Sequence, residues 1–306
     1  GNIFRPPSEA NSILLQVTTG CSHNKCSFCG MYKESRFTIK SDEVIMADID
    51  FAALHCRRQN RLCLCDGDSL ILPQKRLVPI LKAIRSKLPW VERIGTYANT
   101  KSIAMKSVEE LNELHSLGLT IAYMGLESGD DLTLEKINKG SNRANMIEMG
   151  KKIRSAGIKL SITVILGVAG RERSQIHARQ SGAALTEIDP EFVGALSLML
   201  TPETPLYEQW QQGAFILPGP QEMLAELRTM LEHTELSGGY FHANHASNYL
   251  PIKARLPQEK NATLELIDRA LDGEIGLAEC VVTELGDDAL RLVATEEDLQ
   301  QTSETA

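Results

Sequence analysis

The chain has 306 residues, 42% of them apolar, with 32 basic against 40 acidic side chains and a net charge of −8. This length suits one large α/β domain with an appendage, and the acidic balance disfavours an extended nucleic-acid interface, whose affinity rests on Lys and Arg neutralising phosphates. The longest apolar run, 160–170, is too short to cross a bilayer, and no basic, apolar and small-residue sequence marks a leader at the N-terminus; a cytoplasmic protein with no membrane contact is expected.

In chain order, 13–18 reads as a short apolar strand running into Gly20 and a cysteine cluster. A helical period follows over 41–57, then a second strand over 61–65 that ends at Asp66-Gly67-Asp68. Next come a helix over 77–88, a third strand over 91–97, and a capping box, Ser107-Val-Glu-Glu110, opening a helix stopped by Gly118. The fourth strand, 120–126, ends in Glu127; a helix over 143–155 is stopped by Gly157. A fifth strand over 160–166, a helix over 172–186, a sixth strand over 192–200 and a helix over 221–236 complete the alternation.

Apolar strands separated by helical stretches predict parallel βαβ units covered on both faces. Six units are too few for a closed eight-stranded barrel, so a partial, open (β/α)6 barrel over residues 1–236 is expected. In such barrels the chemistry gathers at the C-terminal strand ends, where Asp66, Asp68, Asn99, Glu127 and Gly167 all fall. Residues 237–273 read as a loop and helix closing the barrel, with His245, Asn248 and Tyr249 in the loop able to contact substrate or deliver a proton; His245 and Tyr249 are the catalytic candidates. An ordered loop between two helices is the plainer reading of the same stretch. Residues 274–306 read as an acidic tail: 281–306 holds seven acidic residues and one base, Arg291.

Seven cysteines are unevenly placed: Cys21, Cys26 and Cys29 together, then Cys56, Cys63, Cys65 and Cys280. Such clustering points to metal or redox chemistry before a disulfide framework. In Thr18-Thr-Gly-Cys21-Ser-His-Asn-Lys-Cys26-Ser-Phe-Cys29-Gly-Met-Tyr-Lys33, three thiolates on one loop can hold three corners of a [4Fe–4S] cube and leave the fourth iron open. The same cysteines with His23 or a distant ligand would also suit a structural zinc ion. Cys63 and Cys65 share one face of the second strand, as cavity lining or as small core residues.

The cysteine segment resembles the radical S-adenosylmethionine (SAM) superfamily, in which three loop cysteines follow the first barrel strand and an aromatic residue, here Phe28, precedes the last. The first spacing is four residues where three is usual. The segment 66–72 is similar to the family's Gly-Gly-Glu or Gly-Gly-Asp-Pro stretch, which implies contacts from Asp66, Gly67 and Asp68 to the SAM ammonium. Tyr123-Met-Gly-Leu-Glu127-Ser resembles a strand-four segment of methylthiotransferase-like and elongator-like members, implying that Glu127 contacts SAM. By the same likeness Lys151, with Arg154 as its competitor, stands where an arginine pairs with the SAM carboxylate, a solvated helix face being the plainer reading of both, and the 165–172 segment carries Gly167 beside the adenosine or simply in a tight turn. The 201–207 stretch resembles a segment bordering the substrate.

The resemblance implies a partial (β/α)6 radical SAM barrel with a helical C-terminal extension, a [4Fe–4S] cluster on Cys21, Cys26 and Cys29, and SAM. It also implies an electron donor such as flavodoxin or ferredoxin. A relation to oxygen-independent coproporphyrinogen oxidase does not extend to its substrate, because the additional cysteine after the cluster motif and the Gly-Gly-Gly-Thr-Pro segment are missing. The expected activity is radical cleavage of SAM acting on a small-molecule or protein/peptide substrate. RNA modification, or a non-enzymatic zinc or iron–sulfur protein, are the alternatives.

Overall fold

The computed structural model describes residues 3–278. The acidic stretch beyond 278 and Cys280 lie outside the described residues.

Strand β1 (Ile13–Gln16) is followed by β2 (Thr18–Thr19), which leaves the main sheet to pair with β3 (Thr38–Ile39) as a separate ribbon beneath the cysteine loop. The strand expected over 13–18 is thus split at Val17. Helix α1 (Asp42–His55) starts where the Ser41 hydroxyl accepts the Val44 amide, a standard way of satisfying a free helix-end donor. Then come β4 (Arg61–Cys65), α2 (Gln74–Lys87), β5 (Arg93–Tyr97) and a short α3 (Thr100–Ala104) capped by Asn99. Helix α4 (Val108–Ser116) carries the expected capping box, Ser107 with Glu110.

Next follow β6 (Leu119–Glu127), α5 (Asp131–Lys136), α6 (Arg143–Ser155), β7 (Lys159–Leu166), α7 (Gly170–Ile188), β8 (Phe192–Ser197), α8 (Pro205–Gln211) and α9 (Pro220–Glu232). The chain then adds β9 (Tyr240–His242), β10 (Lys253–Arg255) and α10 (Lys260–Leu271).

The main sheet has the order β1-β4-β5-β6-β7-β8-β9-β10. Its first six strands are parallel, as the βα alternation requires. The C-terminal extension is not helix alone: β9 joins β8 in parallel and β10 returns antiparallel. On β7 and β8, alternate residues such as Leu160, Ile162, Val193 and Ala195 are buried against the surrounding helices. The residues between them face the barrel lumen and stay half-exposed. Deep burial of the helix-facing side removes apolar area from water at about 25 cal/mol per Å², while the lumen side stays free for ligands.

Candidate active site

Five loops after parallel strands meet at one end of the barrel. The loop after β1 is tied to the loop after β4: Gly67 N donates to Gly20 O at 3.1 Å, and Gly20 N donates to Asp66 Oδ2 at 3.2 Å. Gly67 must be glycine, because a Cβ there would sit 2.7 Å from Cys21 Cβ and 2.8 Å from its Cα. This close approach seats Cys21 directly on the Asp66–Asp68 turn.

Elements far away in sequence clamp the rest of the cysteine loop. Ser27 N donates to Ile137 O at 2.9 Å, Leu206 N donates to Ser27 O at 2.9 Å, and Asn138 Nδ2 donates to Lys25 O at 3.1 Å. Within the loop Lys33 Nζ donates to Cys26 O at 3.0 Å. His23, considered as a fourth zinc ligand, instead pairs its Nε2 with Asn138 O at 2.7 Å.

Burial pushes the Cys26 thiol up to about 11, against the opposing charge of Lys139, and burial also raises Cys29. The charges of Cys21, Cys26 and Cys29 act on one another, so the three thiols share one neighbourhood. Three thiols on one loop are a donor set that fits a cube held at three corners.

Beside them lie buried oxygens with no protein partner. Asp66, in the left-handed region at φ 76°, accepts from Gln16 Nε2 at 2.7 Å through Oδ2 and leaves Oδ1 unpaired. Asp68 Oδ2 accepts from Ser22 Oγ at 2.6 Å and Asn99 Nδ2 at 2.8 Å, again with Oδ1 unpaired. Burial lifts Asp68 to about 6, held down by the Ser22 and Asn99 bonds, and burial raises Asp66 as well. The buried Tyr32 hydroxyl, three residues past Cys29, is unpaired too. Unpartnered buried polar atoms are costly, about 1–3 kcal/mol each, so a cluster of them in a mouth fits a polar ligand.

At the end of β6 the chain bulges between Gly125 and Glu127, and Glu127 takes a left-handed φ of 62°. Its carboxylate folds back over Gly125, where a Cβ would lie 1.9 Å from Glu127 Oε1, and meets Lys139 Nζ at 2.9 Å. Phe28 and Ile165 pack against the small cluster of Leu134, Ile137 and Val168, beside the Gly167 turn.

Residues 15–178 match the model of the Radical SAM superfamily. The chain belongs to the radical SAM superfamily. Members of this superfamily are enzymes that use a [4Fe–4S] cluster and SAM, and those are the cofactors of this chain. It is 25% identical over 199 residues to the heme chaperone HemW of Bacillus subtilis, covering 64% of this chain and 51% of that protein. The structure of the radical SAM methyltransferase TsrM of Kitasatospora setae, with tryptophan and a SAM analogue bound, superposes with a TM-score of 0.59 at 15% identity. That match covers 78% of this chain and 54% of TsrM. Coproporphyrinogen III oxidase HemN of Escherichia coli gives 0.51 at 16% identity, over 72% and 50% of the two chains. The chain spans about half the length of the curated relatives it matches.

Within this radical SAM barrel, Gly167 sits at φ 80° and donates its amide to Glu226 Oε1 at 2.6 Å. Glu226 and His177 are fully buried, their Oε1 and Nε2 atoms 3.4 Å apart. Ser174 donates to Glu226 Oε2, and His177 Nδ1 pairs with Ser128 Oγ at 2.7 Å. Ser181 Oγ accepts the Gly129 amide at 2.8 Å, and Asp130 holds Arg173 through two bonds of 2.8 Å. One polar chain therefore joins the turns after β6 and β7. Sequence reading missed it, along with Lys139, because the partners lie 12 to 59 positions apart with no local period.

Other expected site residues fall elsewhere. Lys151 is exposed in the second half of α6, which runs from the mouth toward the opposite end of the barrel, so the structure does not bring it to the site. Arg154 is engaged at that far end with Ile188 O at 3.0 Å and Glu191 at 3.2 Å. Asn248 fastens the C-terminal segment to β8, accepting from Ser197 Oγ at 2.9 Å and donating to Ala195 O at 2.8 Å. His245 Nδ1 pairs with Ser247 Oγ at 2.8 Å, and burial lowers its pKa. Tyr249 is half-buried, its carbonyl accepting the Ala278 amide at 2.8 Å. Cys63 and Cys65 are sealed from solvent on the lumen face of β4. The 201–206 stretch packs on the cysteine loop, where a Cβ on Gly30 would lie 2.5 Å from Thr201 Cγ2.

Proposed function

We propose that Cys21, Cys26 and Cys29 hold a [4Fe–4S] cluster and that the adjoining mouth binds SAM for radical chemistry on a small-molecule or protein/peptide substrate. The observation carrying this reading is the set of unpaired buried oxygens on Asp66, Asp68 and Tyr32 beside the cysteine loop. When bound and reduced, the cluster supplies one electron that splits SAM into methionine and a 5′-deoxyadenosyl radical able to take a hydrogen atom from substrate.

The protein's own residues do the rest. Asp66 and Asp68 offer acceptors to the SAM ammonium, with Ser22 and Asn99 fixing the Asp68 carboxylate. Glu127, oriented by Lys139, faces the sugar or amino-acid part. Phe28 and the Gly167 turn form an apolar wall for the adenine. A reductant such as flavodoxin or ferredoxin, and a cytoplasmic setting that keeps thiols reduced, belong to the same proposal.

Anaerobic reconstitution tests it: about four iron per chain, visible charge-transfer absorbance, and 5′-deoxyadenosine formed under dithionite are expected. Cys21→Ala, Cys26→Ala or Cys29→Ala should lose cluster and SAM cleavage together. A wild-type protein that loads zinc or leaves SAM intact would refute the reading.

A further inference from the structure

The lumen face continues past β8, and its register defines which side chains share it. Tyr123 pairs with Ser161, Ser161 with Phe192, Phe192 with Tyr240, and Tyr240 with Arg255. One tier nearer the mouth, Gly125, Thr163, Gly194, His242 and Lys253 line up in the same way. Paired residues in neighbouring strands point to the same side of a sheet, and Tyr123 lies inside the barrel, hydrogen-bonded to the buried Glu9. The opposite side is spoken for: Val193, Ala195, Phe241 and Ala254 are buried in the core.

This stretch of inner wall is open and cationic. The Phe192 and Tyr240 rings stack at 6.0 Å with planes 13° apart, and Tyr240 remains 41% exposed. Above them, a Cβ on Gly194 would meet only Leu196 Cδ1 at 3.8 Å and a backbone oxygen at 4.0 Å, so the wall has room there. The Arg255 guanidinium lies 5.9 Å from the Tyr240 ring centre, and the His242 ring centre is also 5.9 Å from it. Among the described residues neither Lys253 nor Arg255 has an acidic partner. The nearest carboxylate in the hydrogen-bond network, Glu259, accepts the Arg255 backbone amide and not its side chain. Burial and the Lys253 charge keep His242 below its usual pKa.

We propose that this wall is the substrate subsite and that it takes a small molecule carrying a carboxylate or phosphate at the end of an apolar body. The apolar body lies across the edges of the Phe192 and Tyr240 rings, and the anion meets Lys253 and Arg255. The proposal rests on the radical SAM reading above and names the substrate class of that site. Along β6, Tyr123 stands four residues below Glu127, about 13 Å at a normal strand rise. The molecule is therefore elongated, with its reacting carbon that far from its charged end.

The test uses reconstituted protein, SAM, dithionite and a small-molecule cell extract split on an anion-exchange resin. Each protein's 5′-deoxyadenosine formation is measured as a rise over its own background. The retained fraction should raise it several-fold in the wild type. The K253Q/R255Q double variant should need about tenfold more of that fraction for the same rise, since charge-assisted bonds to an anion are among the stronger polar contacts. Stimulation confined to the unretained fraction, no stimulation from the retained one, or an undiminished response in the variant overturns the proposal. A wild type with no background at all would instead sink the radical SAM reading beneath it.

Discussion

Replacing Glu226 by leucine separates what holds the fold from what shapes the SAM site. The carboxylate is fully buried and accepts from the Gly167 amide and from Ser174, with His177 Nε2 beside it. Leucine fills similar volume but leaves the amide and the hydroxyl without an acceptor. Each orphaned buried group costs about 1–3 kcal/mol, and relief from burying a carboxylate offsets part of that, for a net loss of about 2–4 kcal/mol. The released amide belongs to Gly167, whose turn at φ 80° forms part of the proposed adenine wall.

Glu226→Leu should therefore lower the melting temperature and weaken SAM binding by about tenfold, one orphaned hydrogen bond's worth. Glu226→Gln, which still offers an oxygen to the amide, should lose less of both. Affinity is read from the SAM-dependent change in the electron paramagnetic resonance signal of the reduced cluster, and stability from thermal melts of the cluster-free protein. A leucine variant that melts early yet titrates with SAM as the wild type does would refute the claim that Glu226 governs this turn.

Three further outcomes follow from local geometry. Gly67→Ala drives a methyl into Cys21, an overpacking of about 1–3 kcal/mol, and should cut iron content after reconstitution; full loading would contradict the contact. Ser107→Ala removes a capping box from α4 and should cost about 1 kcal/mol in chemical denaturation, with iron content untouched. Asp130 is pushed up by burial but pulled further down by Arg173 and Thr133, to about 2. Its folded pKa lies below the unfolded value of about 3.9, so its stabilisation is full above that value and lost as pH falls through about 2. The stability gap between wild type and Arg173→Met should accordingly narrow between pH 4 and 2 in acid melts.

What could be read from the sequence was what repeats or sits close together. The βα alternation gave the six parallel strands in order, and Ser107 with Glu110 announced α4 because the cap and its box lie three residues apart. The three-residue β9 is too short to show a period, and Gly239 marks it only through a close approach, where a Cβ would lie 2.4 Å from Pro190 O. Lys151 lies exposed on α6, where a solvated helix face is the plainer reading. Spacing along a helix tells which residues share a face, but not how far down the barrel each one lies.

The site is also legible only in part, because one ligand-bearing loop is shaped by several distant elements. The cysteine segment makes bonds of its own, such as Asn24 Nδ2 to Tyr32 O at 2.7 Å and Lys33 Nζ to Cys26 O at 3.0 Å, but these do not fix where it sits. Its form comes from Ile137 and Asn138 after α5, from Leu206 at the start of α8, and from Gly67 after β4. The same clamps fill the mouth on the sides of β4, β6 and α8. Under the proposed function, substrate enters on the remaining side, where the sheet ends at β10.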